Sequence, residues 1–319
     1  MNATIKLENE KHFPVLLEKL ISIISPLYGG TFIDCTFGQG GYSKKILENK
    51  YNNIIAIDRD VKSLEISKKF EKKYKNRFKF ENIKFSEINR IKTNKNILKG
   101  IIFDLGYSTA QIKDPEKGLS FLSKGKLNMQ MGLNEFSANE IVNDFDQSSL
   151  SKIFYSFGDE KKANNIARKI INFRKSKNIE TQDLVKIIDS VYKKKFKKIH
   201  NSTKVFQALR IFVNKEISEL IESLISSFKL LPKGGVIVVV SFHSIEDKIV
   251  KYFFHHYSQN KNSSRYLPEK ERKKILLLFD HILLESGPLC FIESSDFLNM
   301  DKSTLSLKSA IPTKPHILF

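Results

Sequence analysis

Thr31-Phe-Ile-Asp-Cys-Thr-Phe-Gly-Gln-Gly-Gly-Tyr-Ser43 decides how the rest of the chain is read. Phe32 and Ile33 form a short apolar run suited to a buried strand, and Asp34 ends it. A glycine-dense turn follows, then a helix beginning near Tyr42 or Ser43. Gly38, Gly40 and Gly41 let the backbone take positive φ angles and come close to a ligand. The N–H groups at the helix start favour an anionic group.

Two further features narrow the ligand. The dinucleotide fingerprint needs a third glycine for close helix–strand packing, and the register from Gly38 and Gly40 puts Ser43 there, which disfavours a nicotinamide-dependent dehydrogenase. A second apolar run, Asn53-Ile-Ile-Ala-Ile-Asp58, also ends in an acid, placed to accept hydrogen bonds from the hydroxyls of a ribose. Asp34 near an amino-acid end and Asp58 on a ribose suit S-adenosylmethionine. The competing structural reading is that each Asp only caps a turn.

Two more runs extend the pattern. Phe78–Asn82 reads as a third strand, with Phe85 after it as a wall for an adenine ring. Gly100-Ile-Ile-Phe-Asp104 reads as a fourth, again closed by an acid and continued by Leu105-Gly-Tyr-Ser108. In open α/β sheets ligands sit outside the carboxyl ends of the strands, so Asp34, Asp58 and Asp104 are expected at one crevice. Asp104 then faces the reactive end of the cofactor, and Tyr107 and Ser108 shape the substrate entrance.

At 319 residues and 41% hydrophobic content the chain is long for one compact domain. Two cysteines, Cys35 and Cys290, are too few for a disulfide framework, and each reads as a buried thiol in a reducing compartment. Neither the N-terminal stretch nor the longest apolar run, Val236–Val240, suits a membrane anchor, so a soluble cytoplasmic protein is expected. The net charge of +19 points to a polyanionic partner, nucleic acid first. Only eight of the 54 basic residues are Arg, which marks a lysine-enriching composition and leaves the contact unlocated. The seven His and two Cys show no zinc spacing, and no metal is expected.

From about Asp114 to Val213 helical patterns replace the strand runs: Ala138–Asp144, Leu150–Ser156, Lys161–Arg174 and Gln182–Lys195. The α/β signal returns at Gly234-Gly-Val-Ile-Val-Val-Val-Ser241, before a helix opened by His243-Ser-Ile-Glu-Asp247. The expected organisation is a discontinuous α/β domain, 1–114 with 214–319, carrying a helical insertion over 115–213. Several candidates lie outside the main strand ends. His12 could reach the pocket, and the lysine run Lys193–Lys198 before His200 is a solvated face or a phosphate contact. Ser202–Lys229 reads as one long helix or two, with Gln207, Arg210 and Asn214 near one face. Ser244 as N-cap with Asp247 at the third position competes with His243 as a substrate contact. Ile275–Leu284 is expected as a final strand.

In order along the chain, these segments resemble one family: His12-Phe-Pro-Val-Leu-Leu17, Asp34–Ser43, Ala56-Ile-Asp-Arg-Asp60, Phe103–Gln111, Gly118-Leu-Ser-Phe121, Leu127-Asn-Met-Gln-Met131, Phe206–Ile211 and Ser241–Asp247. The chain resembles the bacterial small-subunit ribosomal RNA cytosine-N4 methyltransferases of the MraW type. The resemblance implies a Rossmann-like class I methyltransferase sheet with an inserted all-helical domain for RNA recognition. It further implies transfer of a methyl group from S-adenosylmethionine to a cytosine in the decoding region of small-subunit ribosomal RNA, free or in the 30S particle, and allows a homodimer. Its cofactor contacts fall on Gly40, Gly41, Tyr42, Asp58, Phe85, Asp104 and Gln111, alongside Asp34 and Gly38 from the loop reading. Substrate contacts are expected at Tyr107, Ser108, Lys204, Arg210, Asn214 and His243. The chain departs from the family at Asn128, Gln130, Gly132 and Lys204, where the pattern has Asp, Arg, Asp and Arg. Those departures bear on substrate affinity and support a rival reading, a non-catalytic ribosome-assembly or RNA-binding factor that keeps the fold.

An exocyclic amine of cytosine is a poor nucleophile because its lone pair is delocalised into the ring. Catalysis has to align that lone pair with the methyl group and accept hydrogen bonds from the N–H groups as the nitrogen pyramidalises. Asp104 is the residue expected to do this.

Overall fold

The structure is a computed structural model describing residues 16–108, 111–112, 114–192, 200–258, 277–280 and 289–293. His12 and the lysine run 193–198 lie outside these residues. The chain forms two compact units, one drawn from Met1–Thr109 and Glu219–Ser295, the other from Ala110–Ser218.

The first unit is built on a sheet of β1 (Thr31–Asp34), β2 (Asn53–Ile57), β3 (Phe78–Glu81), β4 (Leu98–Asp104), β5 (Val236–Val240), β6 (Leu277–Asp280) and β7 (Leu289–Glu293). The order is β3-β2-β1-β4-β5-β7-β6, with β1 to β5 parallel and β7 antiparallel to both β5 and β6. β1 and β5 are buried along their whole length, which is why Phe-Ile and Val-Ile-Val-Val-Val read as continuous apolar runs and not as alternation. Helices α1 (Leu17–Ile24), α2 (Gly41–Leu47) and α3 (Ser63–Tyr74) flank this sheet in sequence. Leu20 and Ile24 bury the inward stripe of α1. Phe70 of α3 packs on Phe37 and Phe78, with ring centroids 5.2 Å apart in each pair. The strand order reverses at β1, with β2 on one side and β4 on the other, which is where a crevice opens in such sheets. β6 covers the middle of the expected final strand. β7 has no counterpart among the strands expected from the sequence.

The second unit is all-helical, from α4 (Ala138–Asp144), α5 (Gln147–Gly158), α6 (Ala163–Phe173) and α7 (Thr181–Asp189) to α8 (Thr203–Asn214). Its starts follow capping chemistry. Ser137 Oγ accepts from Glu140 N while Glu140 accepts from Ser137 N, and Asp146 Oδ1 accepts from Ser149 N. Its core gathers Leu127, Met129, Ile141, Leu150, Phe154, Ile166, Ile170, Leu184, Ile188, Val205 and Leu209. The long segment after Ser202 is two helices, α8 and α9 (Glu216–Leu230). Lys215, at φ 51°, ends α8 in the left-handed conformation while its N–H returns to Ile211 and Phe212 carbonyls. The junction between the units falls in the first turn of α9.

Candidate active site

The β1–α2 loop is held from behind by backbone and from below by aromatics. Cys35 N donates to Ile102 O (2.9 Å) and Phe37 N to Ile57 O (3.0 Å), which fastens the loop to both neighbouring strands. Thr36 Oγ1 accepts from Asp104 N at 2.7 Å, tying the loop to the last residue of β4. Gly38 (φ 49°) and Gly40 (φ 74°) take left-handed backbone as expected. A Cβ at Gly40 would stand 2.6 Å from Phe70 Cζ and 2.9 Å from Phe37 Cε2, so close packing as well as φ demands glycine. Gly41 differs from its expectation: it is the first residue of α2 and is not among the positive-φ glycines.

The three strand-end acids are neighbours through the sheet register, in which Asp34 pairs with Ala56 on one side and Ile102 on the other. They play different parts. Asp34 is wholly buried, and its carboxylate accepts from Ser43 Oγ (2.6 Å) and Thr36 N (3.3 Å). Burial pushes its pKa up to about 6 against those hydrogen bonds. It braces the loop from inside, and the direct cofactor contact expected of it finds no exposed surface. The serine that disqualified a dinucleotide fingerprint is therefore the partner that keeps this acid hydrogen-bonded.

Asp58 is half-buried at the end of β2, where Oδ2 accepts from Gly38 N (2.7 Å) and Oδ1 from Asp60 N (2.8 Å). The Ser63 side chain hydrogen-bonds to the same carboxylate, which leaves about one acceptor site for a hydroxyl group. Burial raises its pKa despite these hydrogen bonds. Asn82 Nδ2 donates to Asp58 O at 2.7 Å and anchors β3 to the same rim.

Asp104, half-buried like Asp58, closes β4. Its Oδ1 is buried without a hydrogen-bond partner among the described residues. Burial, then the charges of Asp34 and Glu246, push its pKa up to about 8. Phe85, on a short 3-10 turn after β3, sets its ring edge-on to Phe103 at 5.9 Å. Tyr107 is 43% exposed just beyond Gly106, and Ser108 is half-buried. Tyr42 is buried in the core below the loop, so its side chain offers no surface to a ligand. Burial and the charges of Asp104 and Asp34 raise its hydroxyl pKa.

Several expected substrate residues have other work. His243 caps α10 (Ser244–Ser258): its Nδ1 accepts from Glu246 N (3.4 Å), while Glu246 Oε2 accepts from Phe242 N (3.0 Å). The capping pair is thus one residue earlier than the expected Ser244 and Asp247, because the helix starts one residue earlier. Its Nε2 lies 3.1 Å from Glu246 Oε1.

In the helical unit, Arg210 forms a two-pronged ion pair with Glu216, Nε to Oε1 and Nη2 to Oε2 at 2.9 Å each. Asn214 is fully buried, accepting from Met131 N and Asn134 Nδ2 and donating to Met129 O and Arg210 O. Both side chains are engaged by these bonds within the helical unit. Lys204 donates to Asp159 O at 2.8 Å, where α5 ends, and keeps an exposed side chain. Gln111, half-buried, belongs to this unit. Among the departures, Asn128 Nδ2 donates to Glu116 O (3.3 Å), Gln130 O accepts from Lys117 Nζ (3.4 Å) and Gly132, at φ 121°, donates to Asn134 Oδ1 (2.9 Å).

Thr36, Ser43 and Glu246 were missed as parts of the site. Only Glu246 left a trace, three residues after a residue able to cap. The others depend on strand pairing that sequence spacing does not show.

Set against known proteins, residues 9–280 match the family model described as the MraW methylase family. The ribosomal RNA small subunit methyltransferase H of Orientia tsutsugamushi (strain Ikeda) is 42% identical over 254 residues, 77% of this chain and 81% of that one. The protein of the same name from Rickettsia bellii (strain OSU 85-389) is 39% identical over 246 residues, 77% of this chain and 80% of its own. A solved rRNA methylase from Streptococcus thermophilus aligns over 90% of this chain and all of its own at 8% identity and a TM-score of 0.41. A family match over most of the chain, joined by relatives at this identity, makes the chain a member of the MraW methylase family.

Proposed function

We propose that the chain is an S-adenosylmethionine-dependent methyltransferase acting on the N4 amino group of a cytosine in the decoding region of small-subunit ribosomal RNA. The observation that carries this is Asp104: a carboxyl at the carboxyl end of β4, beside the strand-order reversal, with a buried oxygen that nothing among the described residues satisfies. The names of the relatives, each a small-subunit ribosomal RNA methyltransferase, support the substrate.

The residues present fit the cofactor. Asp58 keeps acceptor capacity for a ribose hydroxyl beside its bonds from Gly38, Asp60 and Ser63, and Phe85 offers a ring for the adenine. A carboxyl raised to about 8 by burial and like charges gains from a cationic neighbour, which draws it into its ionised form. When bound, S-adenosylmethionine supplies an electrophilic methyl group on a sulfonium centre.

Asp104 then accepts a hydrogen bond from the exocyclic N–H and holds the amine nitrogen with its lone pair out of conjugation. The bound donor would supply the methyl group and leave as the neutral thioether, and Asp104 would be the base placed to take the proton that the amine nitrogen sheds. Tyr107 and Ser108 border the entrance, where the base arrives unstacked from its RNA. The helical unit serves RNA recognition. Among the described residues no helix is long and apolar enough to cross a membrane. A cytoplasmic location and a homodimer belong to the same reading.

The test is methyl transfer from labelled S-adenosylmethionine to small ribosomal subunits, followed by nucleoside analysis of the RNA. Label in N4-methylcytidine is expected. Subunits bound without S-adenosylmethionine affinity would instead favour the non-catalytic factor.

A further inference from the structure

Gly118–Phe121, one of the segments that carry the family resemblance, and His200, which opens a stretch that departs from it, take no part in the strand-end acids. Their rings meet in the helical unit. Phe121 and His200 stack with centroids 4.5 Å apart and planes 13° apart, and Phe206 supports Phe121 edge-on at 6.0 Å. A cleft of about 390 Å³ opens there, lined by Phe121, Leu122, Lys124, Gln182, Val185 and His200.

The lining defines the occupant. Leu122 is 76% exposed, an apolar side chain held out to water beside an aromatic stack. Gln182 spends its amide hydrogens on Phe121 O (3.1 Å) and Ser123 O (2.7 Å), which fixes the loop and leaves the amide oxygen as the acceptor available to a ligand. Thr181 Oγ1 fastens the same loop at Gly125 O (2.8 Å), so the wall is built, not improvised. Lys124 and Lys126 are exposed and form no ion pair among the described residues. Flat rings, an amide acceptor and the ammonium groups of Lys124 and Lys126 together match an unpaired nucleotide: base on the stack, exocyclic amine to the amide, phosphate to these two lysines.

We propose that this cleft is a binding site for an unpaired nucleotide of the ribosomal RNA substrate, with the base on the Phe121–His200 stack and the phosphate at Lys124. The inference rests on the reading above that the substrate is RNA. It is tested with the full chain by fluorescence anisotropy of a labelled single-stranded oligopyrimidine ribonucleotide about ten residues long.

His200→Ala and Lys124→Glu should each weaken binding by about tenfold, the loss expected for one stacked base, while His200→Phe restores it. S-adenosylmethionine affinity by calorimetry should be unchanged in all three. A 5-iodouridine-bearing strand should crosslink to Phe121 or His200. Native-like binding by both weakened variants overturns the site, as does equal competition from duplex RNA of the same length. Methyl transfer by the native protein with unaltered variants sinks this inference alone. Weakened variants without any native methyl transfer keep the cleft and sink the enzyme.

Discussion

Two buried polar positions, one from each unit, are treated in opposite ways. In the helical unit, Asn214 has four hydrogen bonds around one amide, and Arg210 is matched atom for atom by Glu216. In the sheet unit, Asp104 keeps a buried oxygen without a partner among the described residues, and burial pushes its pKa up to about 8. A satisfied network holds a loop in place and has nothing left to offer a ligand. An unsatisfied acid costs stability and is therefore the place to look for function.

The contrast can be broken most directly at Asp104. Asp104→Asn should lower the methyl-transfer rate by roughly 10²- to 10³-fold, the cost of removing one hydrogen-bonding group aimed at a reacting centre, with S-adenosylmethionine still bound. Single-turnover assays check this, and a loss under threefold would remove Asp104 from the chemistry.

On the other side of the comparison, Asn214→Ala leaves Met131 N and Met129 O unpaired in the interior. It should cost about 3 kcal/mol of folding stability in urea titrations, without altering cofactor affinity. A cost near zero would mean that the loop is held by other contacts.

The same Asp104→Asn variant sharpens the comparison through pH. A carboxyl whose pKa is raised on folding gives its full support below the unfolded value near 4 and loses it as pH rises through about 8. The variant should therefore be more stable than the native ligand-free protein above pH 8, on the order of 2 kcal/mol, with the gain fading toward pH 4. Thermal melts across that range decide it. Destabilisation at high pH would mean that Asp104 is paired and ionised.

The smallest effect is expected at Ser43. Ser43→Ala removes a 2.6 Å hydrogen bond from wholly buried Asp34, which should cost about 1 kcal/mol and lift the Asp34 pKa above about 6. Titration of the Asp34 carboxyl by NMR reads the shift, and an unmoved value would deny Ser43 its role.

Much of this was legible along the chain, and the exceptions share a cause. Asp34, Asp58 and Asp104 stood out because each closes an apolar run, and a parallel sheet brings such ends to one edge. The sequence could not distinguish their roles. Asp34 faces inward and Asp104 keeps an open oxygen because of what Ser43, Thr36 and Glu246 do across strand boundaries. Arg210 and Asn214 read as substrate contacts because polar residues on an amphipathic helix look alike whether they meet solvent or a buried loop. β7 escaped notice because an antiparallel addition to the sheet beside β5 has no local signature beyond a short apolar run.

Sequence alone determined the order of apolar runs, the glycines at 38 and 40 and the acids that close three strands, since these depend on local periodicity and backbone freedom. The tertiary structure alone decided which acid is satisfied and which is left wanting, and which rings meet across 79 residues at Phe121 and His200. Hydrogen-bond satisfaction and desolvation are properties of surroundings, and surroundings exist only once the chain has folded.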